Sequence, residues 1–164
     1  LSHVGDNSVE HAIRVAKHPL AFTHSNARRL CESTRNKTDD QILNLAGGGG
    51  VIGLNAFPAF LSSDGSRPHI QDLLDQADYL LGLAGADSVS LGLDFIEGWT
   101  DVEKVNLRKH AHAFGSSYDF PVGLEGVSQL PNLTRGFLSR GHDEQTIKGI
   151  LGENLLEFFK RVWK

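Results

Sequence analysis

The chain has 164 residues, 40% of them hydrophobic and 22% charged, with a formal net charge of −4 and a pI near 6.0. This length suits one domain, taken here as residues 1–164, and the composition supports a buried core rather than a disordered chain. Lys and Arg are too scattered for a nucleic-acid footprint, no apolar run approaches the roughly 20 residues of a membrane span, and the lone Cys31 cannot close an internal disulfide, which fits a cytoplasmic setting.

In chain order, Leu1-Ser2-His3 reads as the end of a strand. Because the chain opens there, with Leu and with no Met anywhere, it reads as a fragment or a processed chain. Asp6, Asn7 and Ser8 are helix-capping types, and Val9, Ala12, Ile13 and Ala16 follow at helical spacing. Pro19 ends that helix, and residues 20–24 read as a buried strand. A polar stretch with a helical turn runs through Arg35 and Asn36. Asp39 and Asp40 open a short helix from Gln41 to Ala46, which Gly47 to Gly50 break. Val51 to Ala56 read as the next strand, and Pro58 with residues 62–66 as a loop. Ile70, Leu73, Leu74, Ala77, Leu80 and Leu81 form an amphipathic helix, closed by Gly82 and Gly85. Residues 88–94 read as a strand. Residues 96–123 form a long connection with a helix near 101–113, the kind of insertion that often serves as an active-site loop. Val127, Leu130, Leu133, Phe137 and Leu138 predict a helix ended by Gly141. Asp143 caps a last helix whose one face carries Ile147, Ile150, Leu151, Leu155, Phe158 and Val162, with Lys160, Arg161 and Lys164 at the negative end of its dipole.

This order is repeated β/α. Four units of roughly 40 residues make about half of a (β/α)₈ barrel, which needs about 250 residues. A small open α/β sheet is the structural competitor.

Ligands gather at the carboxyl ends of parallel strands, and His3, His24 and Asp94 lie there. Neutral imidazoles from adjacent strand ends can share one metal, although a histidine at a strand end is more often a plain hydrogen-bonded residue. Asp94 suits a metal ligand, a general base acting on water, or a cap for the following turn. Arg35, in the loop after the His24 strand, can clamp a carboxylate in bidentate fashion or simply face solvent. Gly47 to Gly50 follow a helix and precede a strand, the reverse of a phosphate loop. His110 and His112 stand two apart on an expected helix, so they do not face each other. No Gly-x-Ser-x-Gly elbow is present. Asn36-Lys37-Thr38 and Asn132-Leu133-Thr134 match the glycosylation sequon, a tripeptide that arises often by chance.

Taken together, Leu1-Ser2-His3-Val4, Phe22-Thr23-His24-Ser25-Asn26-Ala27-Arg28, Arg35-Asn36 with Asp39-Asp40, the run Gly48 to Phe57, Gly92-Leu93-Asp94-Phe95, the run Gly123 to Leu133 and Gly152-Glu153-Asn154-Leu155-Leu156 resemble the membrane (renal) dipeptidase family. The ordered set spans nearly the whole chain. The resemblance implies an α/β fold, the C-terminal half of a metal-dependent-hydrolase-like (β/α)₈ TIM barrel, with a site for two zinc ions that cleaves dipeptides. It implies that His3 and His24 bind metal, that Arg35 holds the substrate carboxylate, and that Asp94 handles the proton and meets the substrate amine, while a hydroxide bridging the metals attacks the peptide carbonyl. The family's His-x-Asp ligand pair, its bridging glutamate and a substrate-binding histidine belong to the first half of the barrel and have no counterpart here. Alone, the chain is expected to be inactive. Where the family often reads Asp-Phe-Asp-Gly, this chain has Asp94-Phe95-Ile96-Glu97-Gly98, a departure that bears on substrate range.

The primary expectation is a zinc-dependent dipeptidase completed by an N-terminal half, with a dipeptide as substrate and a homo-oligomer, most simply a dimer, as its state. The alternatives are a related metallohydrolase acting on another amide or peptide-like metabolite, and a non-catalytic half-barrel that self-associates through open sheet edges.

Overall fold

Three short parallel strands, β1 (Ala21–Phe22), β2 (Val51–Leu54) and β3 (Val89–Leu91), build the sheet of the computed structural model in the order β1-β2-β3. The structure describes residues 1–100, 102, 103, 105, 106 and 119–163. Ala21 pairs with Val51, and Ile52 pairs with Val89. Parallel neighbours need crossovers, and helices supply them: α2 (Asp39–Gly47) between β1 and β2, and α3 (Ile70–Ala84) between β2 and β3. The other helices are α1 (Asp6–Val15), α4 (Pro131–Ser139), α5 (Glu144–Lys148) and α6 (Asn154–Val162). Consecutive strands lying side by side with helical returns make this a partial (β/α) barrel. All four residues of β2 are buried, as a strand covered on both faces requires. Phe22, Ile42, Ile52, Leu54, Leu73, Leu74 and Leu80 pack into one core with Leu133, Phe137 and Ile150. Each such side chain contributes about 1.5–3 kcal/mol on leaving water.

The strands are shorter than the apolar runs predict, and Leu1-Ser2-His3 is a turn rather than a strand end. Beyond the ladders, side-chain amides and single backbone bonds take over: Asn55 N donates to Asn26 Oδ1 at 2.9 Å, and Ser25 N to Gly53 O at 2.8 Å. The first turn still runs along β1, because the Leu1 ammonium donates to Ala21 O at 2.8 Å.

Helix boundaries differ from the reading in five places. Gly5, not Asp6, caps α1, and Asp6 lies in the first turn, where a carboxylate suits the dipole. Thr38 caps α2 in a reciprocal box with Gln41, so Asp39 and Asp40 are already helical. Helix α3 runs through Gly82 and ends at Gly85, whose φ is +83°. The last helix is broken by a wide turn over Gly149–Glu153 with Gly152 out of helical geometry. The break serves Asn154: its Nδ2 donates to Ala86 O at 2.6 Å and Val89 O at 2.7 Å, tying α6 to the edge of β3. A side chain at Gly149 would collide with that amide. Asp143 caps α5 as read, accepting from Thr146 N at 2.7 Å. The segment from Val127 to Gln129 is a 3₁₀ turn, and α4 starts at Pro131, where a missing N–H costs nothing. The expected helix near 101–113, with His110 and His112, falls mostly outside the described residues. Among the described residues no helix is long and apolar enough to cross a membrane.

Asp6 carries a measurable consequence. It accepts from Arg28 Nη1 at 2.9 Å and Nη2 at 2.8 Å, and from Gln41 Nε2 at 3.2 Å. The Arg28 hydrogen bonds hold its carboxyl at about 2, below the ordinary 3.8. A depressed carboxylate pKa stabilises the fold fully above the unfolded value, and the gain is lost as pH falls through the folded one. Asp6→Asn is therefore expected to lower the urea midpoint at pH 7 by the equivalent of about 1 kcal/mol, discounted for partial exposure. The parent should converge on the variant between about pH 4 and about pH 2. An unchanged difference at pH 2 would contradict this.

Candidate metal centre

The turn before α1 and the end of β1 bring two imidazoles together. Ser2 is buried, and its Oγ accepts from His24 N at 3.0 Å and lies 3.0 Å from Thr23 Oγ1. Thr23 Oγ1 in turn lies 2.9 Å from His24 Nδ1. When Nδ1 carries the proton and donates to Thr23, the Nε2 lone pair is free, the second-sphere arrangement that orients metal-binding histidines. Close approach of the strands supports this bend: a Cβ on Gly53 or Gly92 would collide with Thr23 O.

His3 Nε2 and His24 Nε2 stand 2.8 Å apart, with ring centroids 4.9 Å apart and planes at 59°. At that distance one neutral ring donates its proton to the other, so the two nitrogens converge on one point. Burial lowers the pKa of His3, and the Arg35 and Lys37 charges add to this while Asp94 opposes it. Burial also lowers His24, with Asp94 again opposing and His3 and Arg35 reinforcing. Both rings are thus biased to the neutral form that binds metals. Converging neutral nitrogens with an oriented Nδ1 fit a zinc-type ion. The pair is not a whole site: among the described residues no group of three or more His, Cys, Asp or Glu side chains could hold a metal, whereas catalytic zinc takes three protein ligands.

The other two predicted site residues lie close enough for their charges to act on both imidazoles. Asp94 follows β3 with φ +62°, the one described non-glycine residue in the left-handed region, and Asp tolerates that backbone better than most residues. Its Oδ2 lies 3.4 Å from Asn55 Nδ2. Arg35 is half-buried, with its Cζ 5.0 Å from the Phe60 ring centroid, and its buried Nε has no hydrogen-bond partner. Burial lowers its pKa and Asp94 raises it.

Three residues escaped the sequence reading. Lys37 is fully buried. Its Nζ donates to Val4 O at 3.3 Å and sits 5.3 Å from the Phe22 ring centroid, so it pegs the residue after His3 to the sheet. Asn26 and Asn55 are also fully buried; both lie within the quoted motifs, which was the available signal. Cys31, in the Arg35 segment, is buried, and burial pushes its thiol up to about 11.

A parallel sheet with helical crossovers and polar side chains gathered beyond its carboxyl ends is the half-barrel architecture of metal-dependent hydrolases. The sequence pattern described as Membrane dipeptidase (Peptidase family M19) matches residues 1–108 and 110–164, and the chain belongs to that family. It is 33% identical over 166 residues to an uncharacterized dipeptidase of Schizosaccharomyces pombe, covering 100% of this chain and 34% of that protein. It is 29% identical over 162 residues to Dipeptidase 3 of Mus musculus, covering 99% of this chain and 29% of that protein. Among solved structures it is similar to a metallo peptidase from Rhodobacter sphaeroides liganded with a phosphinate mimic of the dipeptide L-Ala-D-Ala, at 30% identity and TM-score 0.82, covering 99% of this chain and 42% of that one. It is also similar to an amidohydrolase from Pseudomonas aeruginosa, at 30% identity and TM-score 0.86, covering 99% and 51%. The chain thus spans about half or less of the length of these relatives.

Proposed function

We propose that this chain is the C-terminal half of a zinc-dependent dipeptidase that hydrolyses a dipeptide to two amino acids once an N-terminal half completes the barrel. The observation that carries the reading is the convergence of His3 Nε2 and His24 Nε2, with Asp94 and Arg35 acting on the same two rings. His3 and His24 hold metal. When bound, zinc supplies Lewis acidity and lowers the pKa of water. Asp94 meets the substrate amine and carries the proton from the attacking water toward the leaving nitrogen. Arg35 pairs with the terminal carboxylate through the planar fork of its guanidinium. The phosphinate-bound relative supports a dipeptide as ligand class.

Ile96 favours a second reading, a related hydrolase of another amide. The family often has a carboxylate there, whereas Ile96 packs against the apolar core. A panel of dipeptides, blocked dipeptides and other amides, assayed with the zinc-loaded complete barrel, separates the two. Turnover confined to free dipeptides supports the first reading, and turnover of other amides with dipeptides untouched overturns it.

A further inference from the structure

We propose that Asn55 is a positioning residue for Asp94: its side-chain amide is locked so that one N–H faces the carboxylate. The inference rests on the reading of Asp94 as the group that meets the substrate amine and carries the proton.

Asn55 directly follows β2 and is fully buried. Its backbone is held on both sides by one other buried amide: Asn55 N donates to Asn26 Oδ1 at 2.9 Å, and Asn26 Nδ2 donates to Asn55 O at 2.8 Å. A second Asn26 bond, to Phe60 O at 3.1 Å, anchors that amide in turn. The Asn55 side chain has only one sensible orientation. Phe57 N donates to its Oδ1 at 2.6 Å, so Nδ2 must be the atom on the other side, where it lies 3.4 Å from Asp94 Oδ2. A flipped amide would set N–H against N–H at Phe57 and oxygen against carboxylate at Asp94.

Asp94 needs such a support. Its φ of +62° is uncommon for a residue with a side chain, and such a backbone persists only where its surroundings fix it. The segment from Asn55 to Ala56 fixes it at two points: Ala56 N donates to Leu93 O at 3.2 Å, and Asn55 Nδ2 faces the carboxylate. The charged or titratable groups that act on the same site are His3, His24, Arg35, Lys37 and the amino terminus. Asn55 is the neutral donor among them. It aims Asp94 without adding charge to a centre that takes up cations.

Two substitutions separate positioning from mere support. Asn55→Asp keeps an oxygen for Phe57 N and replaces only the donor that faces Asp94, putting a second carboxylate beside it. Asn55→Ala loses both interactions. If Asn55 only props up the turn, Asn55→Asp is the milder change in the kcat of the folded protein, whatever its buried carboxyl costs in stability. If it positions Asp94, Asn55→Asp is the more damaging one. In the zinc-loaded complete barrel, Asn55→Ala is expected to lower kcat about 10–100-fold, the usual range for a supporting partner of a functional group, with KM within about threefold of the parent. Asn55→Asp should fall lower still. A kcat for Asn55→Asp equal to or above that of Asn55→Ala overturns the proposal.

Gln76→Ala serves as the matched structural control. Gln76 is another buried amide with two backbone bonds, both to Ala27 and neither to the Asp94 segment. Should Asn55→Asp fail to fold, the comparison of Asn55→Ala with Gln76→Ala decides: a kcat loss in the first alone supports positioning, and equal values overturn it. Asp94→Asn tells the two layers apart. Full parental rate in that variant overturns the role of Asp94 and the Asn55 inference with it. An inactive Asp94→Asn beside Asn55 variants of parental kcat overturns the Asn55 inference alone.

Discussion

Replacing His24 by Ala in the complete barrel is expected to strip zinc from the protein and end dipeptide turnover. His24 is oriented through its backbone N–H by Ser2 and through Nδ1 by Thr23, and its Nε2 faces that of His3 at 2.8 Å. Removing the ring leaves His3 as a lone donor on this side of the centre. It also removes the partner that brings a second nitrogen to the same point. Changes to the outer shell of a metal site cost about 10–100-fold in affinity or activity. Loss of a ligand should exceed that, with kcat falling more than about 100-fold and bound metal falling in parallel. Metal content by plasma mass spectrometry and single-substrate kinetics check both halves of the statement. Parental zinc together with parental rate would sink the assignment of the pair.

The second large effect is expected at Arg35. Arg35→Met keeps the length and the apolar stem that lies over Phe60 but removes the guanidinium. A hydrogen bond to a charged group contributes about 1.5–3 kcal/mol, and 1.4 kcal/mol is tenfold in affinity. The KM for a free dipeptide should therefore rise about 10–100-fold. The discriminating measurement pairs each dipeptide with its C-terminal amide. The parent should prefer the free acid strongly, and Arg35→Met should lose that preference because the group that reads the carboxylate is gone. Arg35→Lys should recover it only in part, since an ammonium is a point charge without the planar fork. A variant that still prefers the free acid as the parent does would place carboxylate recognition elsewhere.

How much of this was legible in the residues differs by element. Helix α3 was readable because Ile70, Leu73, Leu74, Ala77, Leu80 and Leu81 repeat at helical spacing over a long stretch, and Gly85 closes it with the backbone only glycine adopts freely. The α2 cap was also legible, as Thr38 followed three residues later by Gln41, although the acidic pair Asp39-Asp40 offers the same capping chemistry one residue on. Strand lengths were not readable. Apolar runs continue past the ladders, and where pairing stops depends on amides such as Asn26 and Asn55 that belong to no hydrophobic pattern. The break before α6 was hidden for a similar reason: the apolar face runs on from Ile147 to Val162, while the kink is dictated by the bond from Asn154 to the edge of β3.

The candidate site was legible by position rather than by contact. Strand-end histidines and an aspartate point to the carboxyl edge of a parallel sheet, and the structure puts His3 and His24 there together. The approach of the two rings follows from Ser2 and Thr23, short polar side chains whose spacing says nothing by itself. Lys37 was unreadable in principle. A lysine in a polar stretch predicts a solvated cation, and only the fold reveals it buried against Phe22 and Val4.

The solitary cysteine gives this segment its own clock. Cys31 sits four residues before Arg35, its carbonyl accepts from Asn36 Nδ2 at 2.8 Å, and its thiol is buried and barely ionised at neutral pH. A thiol reagent reaches it only when the stretch between Ala27 and Lys37 lifts from the sheet, because the thiolate is the reacting species and the closed form offers almost none. The labelling rate of this chain under native conditions thus follows the population of those open states. A carboxylate ligand that pins Arg35 would slow the labelling, so ligands can be screened by alkylation alone, with no catalysis and no engineered probe.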